Sequence, residues 1–307
     1  MSAVPRLAEL SGTAKLVASG LLALALLLPA LAAVTGDPYL VKLGARILVF
    51  GLAAAALDLA LGVGGMVSFG HAAFLGLGAY VVGILFQHGF EGRPFLGLPP
   101  TQSLLVQAPV AMLLGAGFAL VTGLVALRTR GVAFIMITLA FAQMLYYLFV
   151  SLKTYNGEDG IALWSRSHAH GLLDTGSDTQ LYYLCLGCLV LFLLLAVRLH
   201  RSPFGRVVRG AKDNERRMAA LGFAVFRYRL AAYAISGAVT ARAGVLLANA
   251  AWFVGPSFLS WRVSGELIVM VVMGGMGTLV GPVLGAAAFL LLEELLPAAM
   301  SLLGPEL

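Results

Sequence analysis

Charge is what this 307-residue chain has least of: Asp, Glu, Lys and Arg together make up 11% of it, against about 25% in an ordinary soluble domain. Hydrophobic residues fill 60%, and the mean hydropathy is +0.95. A soluble core stops growing at roughly 250–300 residues, so a water-soluble fold is excluded. The composition defines an all-α, polytopic transmembrane helical bundle, a single membrane domain over residues 1–307. Cysteine is almost missing too. Cys185 and Cys188 are the only two, and no second pair or nearby histidine completes a metal or redox site around them. They read as two small hydrophobes on one helix face. The net charge of +6 comes without aromatic residues interleaved in a basic groove, which argues against nucleic acid and for basic loops at a membrane surface. No G-x-x-x-x-G-K-[ST] string occurs, so no phosphate-binding loop of that kind is present. Nor is there a clustered acid, base, nucleophile or metal set at membrane depth. The chain is not expected to be an enzyme, and no cofactor or metal is expected.

Long apolar runs are what the chain has instead. A spanning helix needs about 20 apolar residues. Candidates are 16–34, 39–61, 66–86, 104–127, 131–152, 181–199, 230–250, 266–281 and 284–303, a count of about nine to ten with one or two broken or re-entrant (66–86 and 266–281). The first is too long for a signal-peptide core and reads as a span. Basic residues orient the set. The turn at Arg128 and Arg130 and the segment 198–229, with nine of the chain's 20 Lys and Arg, belong in the cytoplasm. Arg6 and Lys15 then fall inside as well, the C-terminus falls outside, and 153–180 forms a periplasmic loop suited to a lid or docking surface. His168 and His170 in that loop read as solvated histidines.

Two glycine-rich strings stand out, 62–80 and 273–289. They share G-G-M, a Ser or Thr and spaced glycines, as an internal repeat or by chance. Small residues let membrane helices approach closely; a broken helix lining a water-filled path is the other reading. On the second reading Ser68, His71 and Tyr80, with Gly275 and Gly277 of the second string, face the path. Asp58, Arg242 and Glu266 are ionisable residues at membrane depth, where such groups usually serve function. Asp58 joins the path candidates and Arg242 is its possible partner, whereas Glu266 is expected to reach water at a segment end.

The segment 202–222, "SPFGRVVRGAKDNERRMAALG", interrupts the apolar runs. Ser202 suits an N-cap and Pro203 the first helical position. Gly222 suits a C-terminal cap. Phe204, Val207, Val208, Ala211, Met218 and Leu221 share one face. Gly205 and Gly210 weaken a single helix, and Asp213 is placed to cap a second. One or two short amphipathic helices follow, docked on lipid or, given Asp213-Asn214-Glu215, in a protein groove.

Five motifs, in order, resemble one family: "GGMVSFGHAAFLGLGAY" at 64–80, "LRTRGVAFIMITLAFAQM" at 127–144, "NGEDGI" at 156–161, 202–222, and "SGELIVMVVMGGMGTLVGPVLGA" at 264–286. The chain is similar to the membrane permeases of branched-chain amino acid ABC importers, the LivH/LivM family, and closer to LivM. The resemblance implies a bundle of roughly ten spans in the inner membrane, paired with a second homologous permease subunit. It also implies two cytoplasmic ATPase subunits and a periplasmic substrate-binding protein. Segment 202–222 would then carry the coupling helix, with Arg206, Arg209, Asp213, Asn214, Glu215 and Gly222 as its ATPase-coupling residues. Importers of urea or short amides share these motifs, and an ion-coupled secondary transporter built on Asp58 and Arg242 is the rival of a different class. Arg242 occupies a stretch that is small and apolar in the family.

Overall fold

The computed structural model describes residues 12–92, 94, 101–168 and 176–303. In chain order the long helices are α1 (Gly12–Thr35), α2 (Tyr39–Asp58), α3 (His71–Glu91), α4 (Leu104–Ala126), α5 (Val132–Ser151) and α6 (Asp178–Arg201). Then come two short helices, α7 (Pro203–Asp213) and α8 (Glu215–Ala220), followed by α9 (Val225–Ala251), α10 (Trp261–Gly274) and α11 (Gly281–Leu303). A π turn, Leu59–Val63, extends α2. The two-residue strands β1 (Ile161–Ala162) and β2 (Phe253–Val254) pair antiparallel. Among the described residues, six helices are long and apolar enough to cross a membrane: α2 with its π turn, α3, α4, α5, α6 and α9. The chain is therefore a multi-pass membrane protein.

In lipid, apolar burial alone does not join helices, so close packing through small residues must. Helix α2 runs through the middle of the bundle and is buried along nearly its whole length from Leu48. Helix α9 carries Gly237, Ala241 and Gly244 at helical spacing, and these receive two partners. Gly78 of α3 lies on the Ala241 backbone, Gly244 lies on Leu75 of α3, and Gly115 of α4 faces Gly237. A methyl group at Gly78 or Gly244 would overlap main-chain atoms.

The spans expected at 66–86 and 266–281 have different limits. Residues 64–70 are irregular and α3 begins at His71. Helix α10 has 14 residues, about 20 Å at 1.5 Å per residue, too short to cross a 30 Å hydrocarbon core. The segment from Phe253 to Ser260 leads into it as β2 and a 3₁₀ turn, Pro256–Leu259. Leu259 packs on Gly76 of α3, so α10 starts inside the bundle, and the six residues between Gly274 and Gly281 turn the chain back into α11.

Segment 202–222 forms two helices. Ser202 accepts from Gly205 N at 3.2 Å, with Pro203 in the first turn. The second cap is Asn214, which accepts from Arg217 N at 3.0 Å; Asp213, expected to cap it, is the last residue of α7 instead. Gly222 ends the unit at φ +86°. Val207, Val208 and Ala211 are buried as expected, whereas Leu221 is 63% exposed.

At the opposite end from these basic helices, part of 153–180 is firmly seated. Arg166, expected as a loop charge, is 4% exposed. Its Nε donates to Asn249 O at 3.0 Å, its guanidinium pairs with Asp178, and it lies over the Trp252 ring at 4.6 Å. Ser167 N donates to Asn249 Oδ1 at 2.8 Å, tying the loop to the end of α9. His168 bridges to Ser103; His170 lies outside the described residues. Cys185 and Cys188 are both buried and unpaired.

Candidate functional site

The two glycine-rich strings and the basic helices converge on one point. Asp58, in the last turn of α2, is 4% exposed. A buried carboxylate needs a donor, and Gly277 N supplies one to Oδ1 at 2.7 Å. The amide can turn that way because Gly275 and Gly277 hold φ at +101° and +78°, a region that side chains resist. Gly62, the first residue of the 62–80 string, lies against the second: a Cβ there would collide with the Asp58 carboxylate and the Gly277 amide. Its carbonyl points the other way and accepts from Lys212 Nζ of α7 at 2.7 Å. Two hydrogen bonds, joined through the backbone of the π turn, thus link α7 to the turn before α11. Beside Asp58 a cavity of about 10 Å³, also lined by His200 and Thr278, has room for about one water.

The other coupling candidates divide by environment. Glu215 of α8 turns inward, pairing with Arg130 of the α4–α5 turn at 3.1 Å and Arg229 of α9 at 3.3 Å. A cavity of about 320 Å³ lies behind these charges, against Gly64, Met66 and Lys212. Arg209 donates to the carbonyls of His200 and Gly205 and so ties α7 to the end of α6. Arg206, Asp213, Asn214 and Gly222 face outward.

Ser68, His71 and Tyr80 lie inside the packed bundle, each at most 1% exposed. Ser68 Oγ accepts from Gly70 N at 3.1 Å and contacts Tyr233 Oη at 3.2 Å. His71 Nε2 meets Ser236 Oγ at 2.8 Å, and that hydroxyl donates to Ala56 O in α2. Phe69 N donates to Thr138 Oγ1 of α5 at 3.2 Å, and Ala72 N to Ser264 Oγ of α10 at 2.9 Å. These bonds supply acceptors for amides at the start of α3, where no helical carbonyl precedes them. Tyr80 stacks on Phe149 at 3.9 Å between centroids. Ser68 and His71 therefore hold the helix break together, and Tyr80 packs α3 against α5.

Arg242 does not pair with Asp58. Its guanidinium meets Cys188 Sγ at 3.2 Å and Met112 Sδ at 3.9 Å. Glu266 is not at a segment end: it is the sixth residue of α10. Lys212, Gly62 and Thr278 also belong to the site; all three lie within the strings 62–80, 202–222 and 273–289, but nothing local reveals the Lys212–Gly62 contact, which joins positions 150 apart.

An all-helical bundle of apolar spans with a pair of basic surface helices defines a polytopic membrane protein. The family model described as "Branched-chain amino acid transport system / permease component" matches residues 39–305, and the chain belongs to that family. It is 29% identical over 263 residues to the high-affinity branched-chain amino acid transport system permease protein LivM of Salmonella typhimurium, covering 78% of this chain and 59% of that protein. The Escherichia coli LivM is 28% identical over the same shares. The autoinducer 2 import system permease protein LsrC of an Enterobacter species is 38% identical over 109 residues, 33% of this chain and 32% of its own. The chain thus spans 59% of the length of the LivM proteins it matches. No solved structure matches it.

Proposed function

We propose that the chain is a permease subunit of an ATP-binding-cassette importer in the inner membrane and forms part of the translocation path for branched-chain amino acids. A periplasmic binding protein would deliver the substrate. Two cytoplasmic ATPase subunits would drive transport, and a second homologous permease would complete the path. α7 and α8 are the coupling element on this reading, and 153–180 faces the binding protein. One observation carries it above the others. Lys212 on α7 holds the π turn of α2 through Gly62 O, and Asp58 one turn earlier holds the turn between α10 and α11. A push on α7 therefore reaches both helix breaks directly. Outward-facing Arg206 and Asp213 are free to meet an ATPase groove while inward-facing Glu215 passes the force to α9 and the α4–α5 turn.

Co-reconstitution with the ATPase, second permease and binding-protein subunits of a branched-chain amino acid importer from the same organism tests this. ATP-dependent leucine uptake that stops when either the ATPases or the binding protein is omitted is expected. Gradient-driven uptake by the chain alone would overturn the reading in favour of a secondary transporter. Competition by urea or acetamide, with no competition by valine, would move the substrate class to short amides.

A further inference from the structure

Three cations and one carboxylate meet at the end of the bundle that its basic residues assign to the cytoplasm. Arg130 of the α4–α5 turn and Arg229 of α9 both pair with Oε2 of Glu215, at 3.1 and 3.3 Å. Lys212 of α7 stands with them on the wall of the cavity of about 320 Å³. Glu215 is the only acid among the described residues on that wall, so three positive charges face one negative, a net +2. Hydrogen bonding is as incomplete as charge. Nε of Arg229 is buried and has no acceptor among the described residues, and a buried donor left without a partner is costly. Gly65, at φ +66°, leaves room for the Lys212 stem, which a Cβ there would meet at 2.9 Å.

The rest of the wall is largely apolar, with Val67, Phe134 and Ile135 on it. Val67 is 38% exposed, and Val132 and Met136, on either side of Phe134 and Ile135 in sequence, are 67% and 59% exposed. Helices α4 and α5 carry no charged residue along their lengths, as suits helices that face lipid. The cavity thus joins a cationic wall to an apolar one at the foot of two lipid-facing helices. Basic pockets between spans on the cytoplasmic side take the headgroups of anionic lipids, whereas a free anion has no use for the apolar wall. We propose that this cavity seats the phosphodiester headgroup of an anionic phospholipid from the cytoplasmic leaflet. Arg130, Lys212 and Arg229 hold its phosphate, and the first acyl carbons lie along Val67 and Ile135. The lipid supplies the charge that Glu215 leaves unbalanced and the acceptor that Arg229 Nε lacks. The inference concerns the subunit alone and stands or falls apart from the importer reading.

Native mass spectrometry of the full chain in detergent tests it, with phosphatidylglycerol titrated against phosphatidylcholine of the same acyl chains. The expected result is one phosphatidylglycerol retained per chain under activation that strips phosphatidylcholine. Each basic residue at a membrane surface is worth roughly fivefold in affinity for anionic lipid, so Arg130→Gln combined with Arg229→Gln should weaken retention about thirtyfold. Val67→Glu leaves every ion pair in place and adds a carboxylate to the wall; it should expel the lipid, and it decides the matter if the double variant fails to fold. Arg201→Gln removes an exposed charge at the end of α6, off the wall, and should bind as the wild type does. Equal retention of the two lipids, or retention unchanged by Val67→Glu, would overturn the proposal. So would an equal loss in Arg201→Gln, which would reduce the effect to overall charge. Retention of inorganic phosphate with no retention of phosphatidylglycerol would make the cavity a soluble-anion site and remove the lipid from it.

Discussion

The amide of Gly277 donates to Oδ1 of Asp58 across 219 positions of chain, and this one bond joins the turn between α10 and α11 to the end of α2. Replacing Asp58 by Ala leaves that amide without its acceptor. Losing a buried partner costs about 1–3 kcal/mol, so Asp58→Ala should lower the melting temperature of the detergent-purified protein and reduce uptake. Asp58→Asn keeps a carbonyl oxygen in reach and should retain most of both. If Asn falls as far as Ala, the charge rather than the hydrogen bond matters.

Gly62 offers a sharper steric test. A methyl group there overlaps the Asp58 carboxylate and the Gly277 amide, and overpacking of this kind costs about 1–3 kcal/mol. Gly62→Ala should therefore cut uptake strongly. Gly187→Ala, at a helical glycine with open space around it, should be neutral or slightly stabilising. Equal behaviour of the two variants would remove the π turn from the mechanism.

Glu215 and Asp213 should separate by readout. Glu215→Ala breaks both ion pairs inside the permease and should lower ATP-driven uptake with the ATPases still bound. Asp213→Ala removes an exposed charge and should weaken ATPase association, seen in pull-down, without lowering the melting temperature of the isolated subunit. Uptake unchanged in both variants would take these acids out of coupling.

The boundary between α7 and α8 depends on Asn214. Its loss to Ala removes a side-chain cap worth about 1 kcal/mol, and protease cleavage between Lys212 and Arg217 should speed up. Asn214→Asp keeps the cap and should match the wild type. Identical cleavage rates for all three would mean that the cap is not what sets the boundary.

Much of this was legible in the sequence, for local reasons. Ser202 and Pro203 announce α7 because capping is written within three residues, and the apolar runs announce the spans because each must satisfy its backbone alone in lipid. The second cap shows the limit: Asp213 and Asn214 are both good caps, and only the backbone decides between neighbours. Arg166 is buried where a loop charge is expected because burial belongs to the whole fold, and nothing near it in sequence reveals Asn249 or Trp252; Glu266 falls inside a helix because the apolar run does not show that α10 begins at Trp261. The hydroxyls Ser236 and Ser264 look like ordinary small helix residues until α3 is laid against them. Ser68 and His71 were noticed for their polarity, which marks the break but does not distinguish lining a path from fastening one.

The fastenings at the start of α3 share a chemical property. Thr138, Ser264, Ser236 and Ser68 each offer a hydroxyl, drawn from α5, α10, α9 and the break itself. A hydroxyl bond is one that water replaces one for one. If these helices part in a wetted passage, each amide, and the His71 ring, trades its partner for solvent and regains it on closing. The break is thus a reversible fastener: dry and cohesive when the helices meet, and without orphaned groups when they separate.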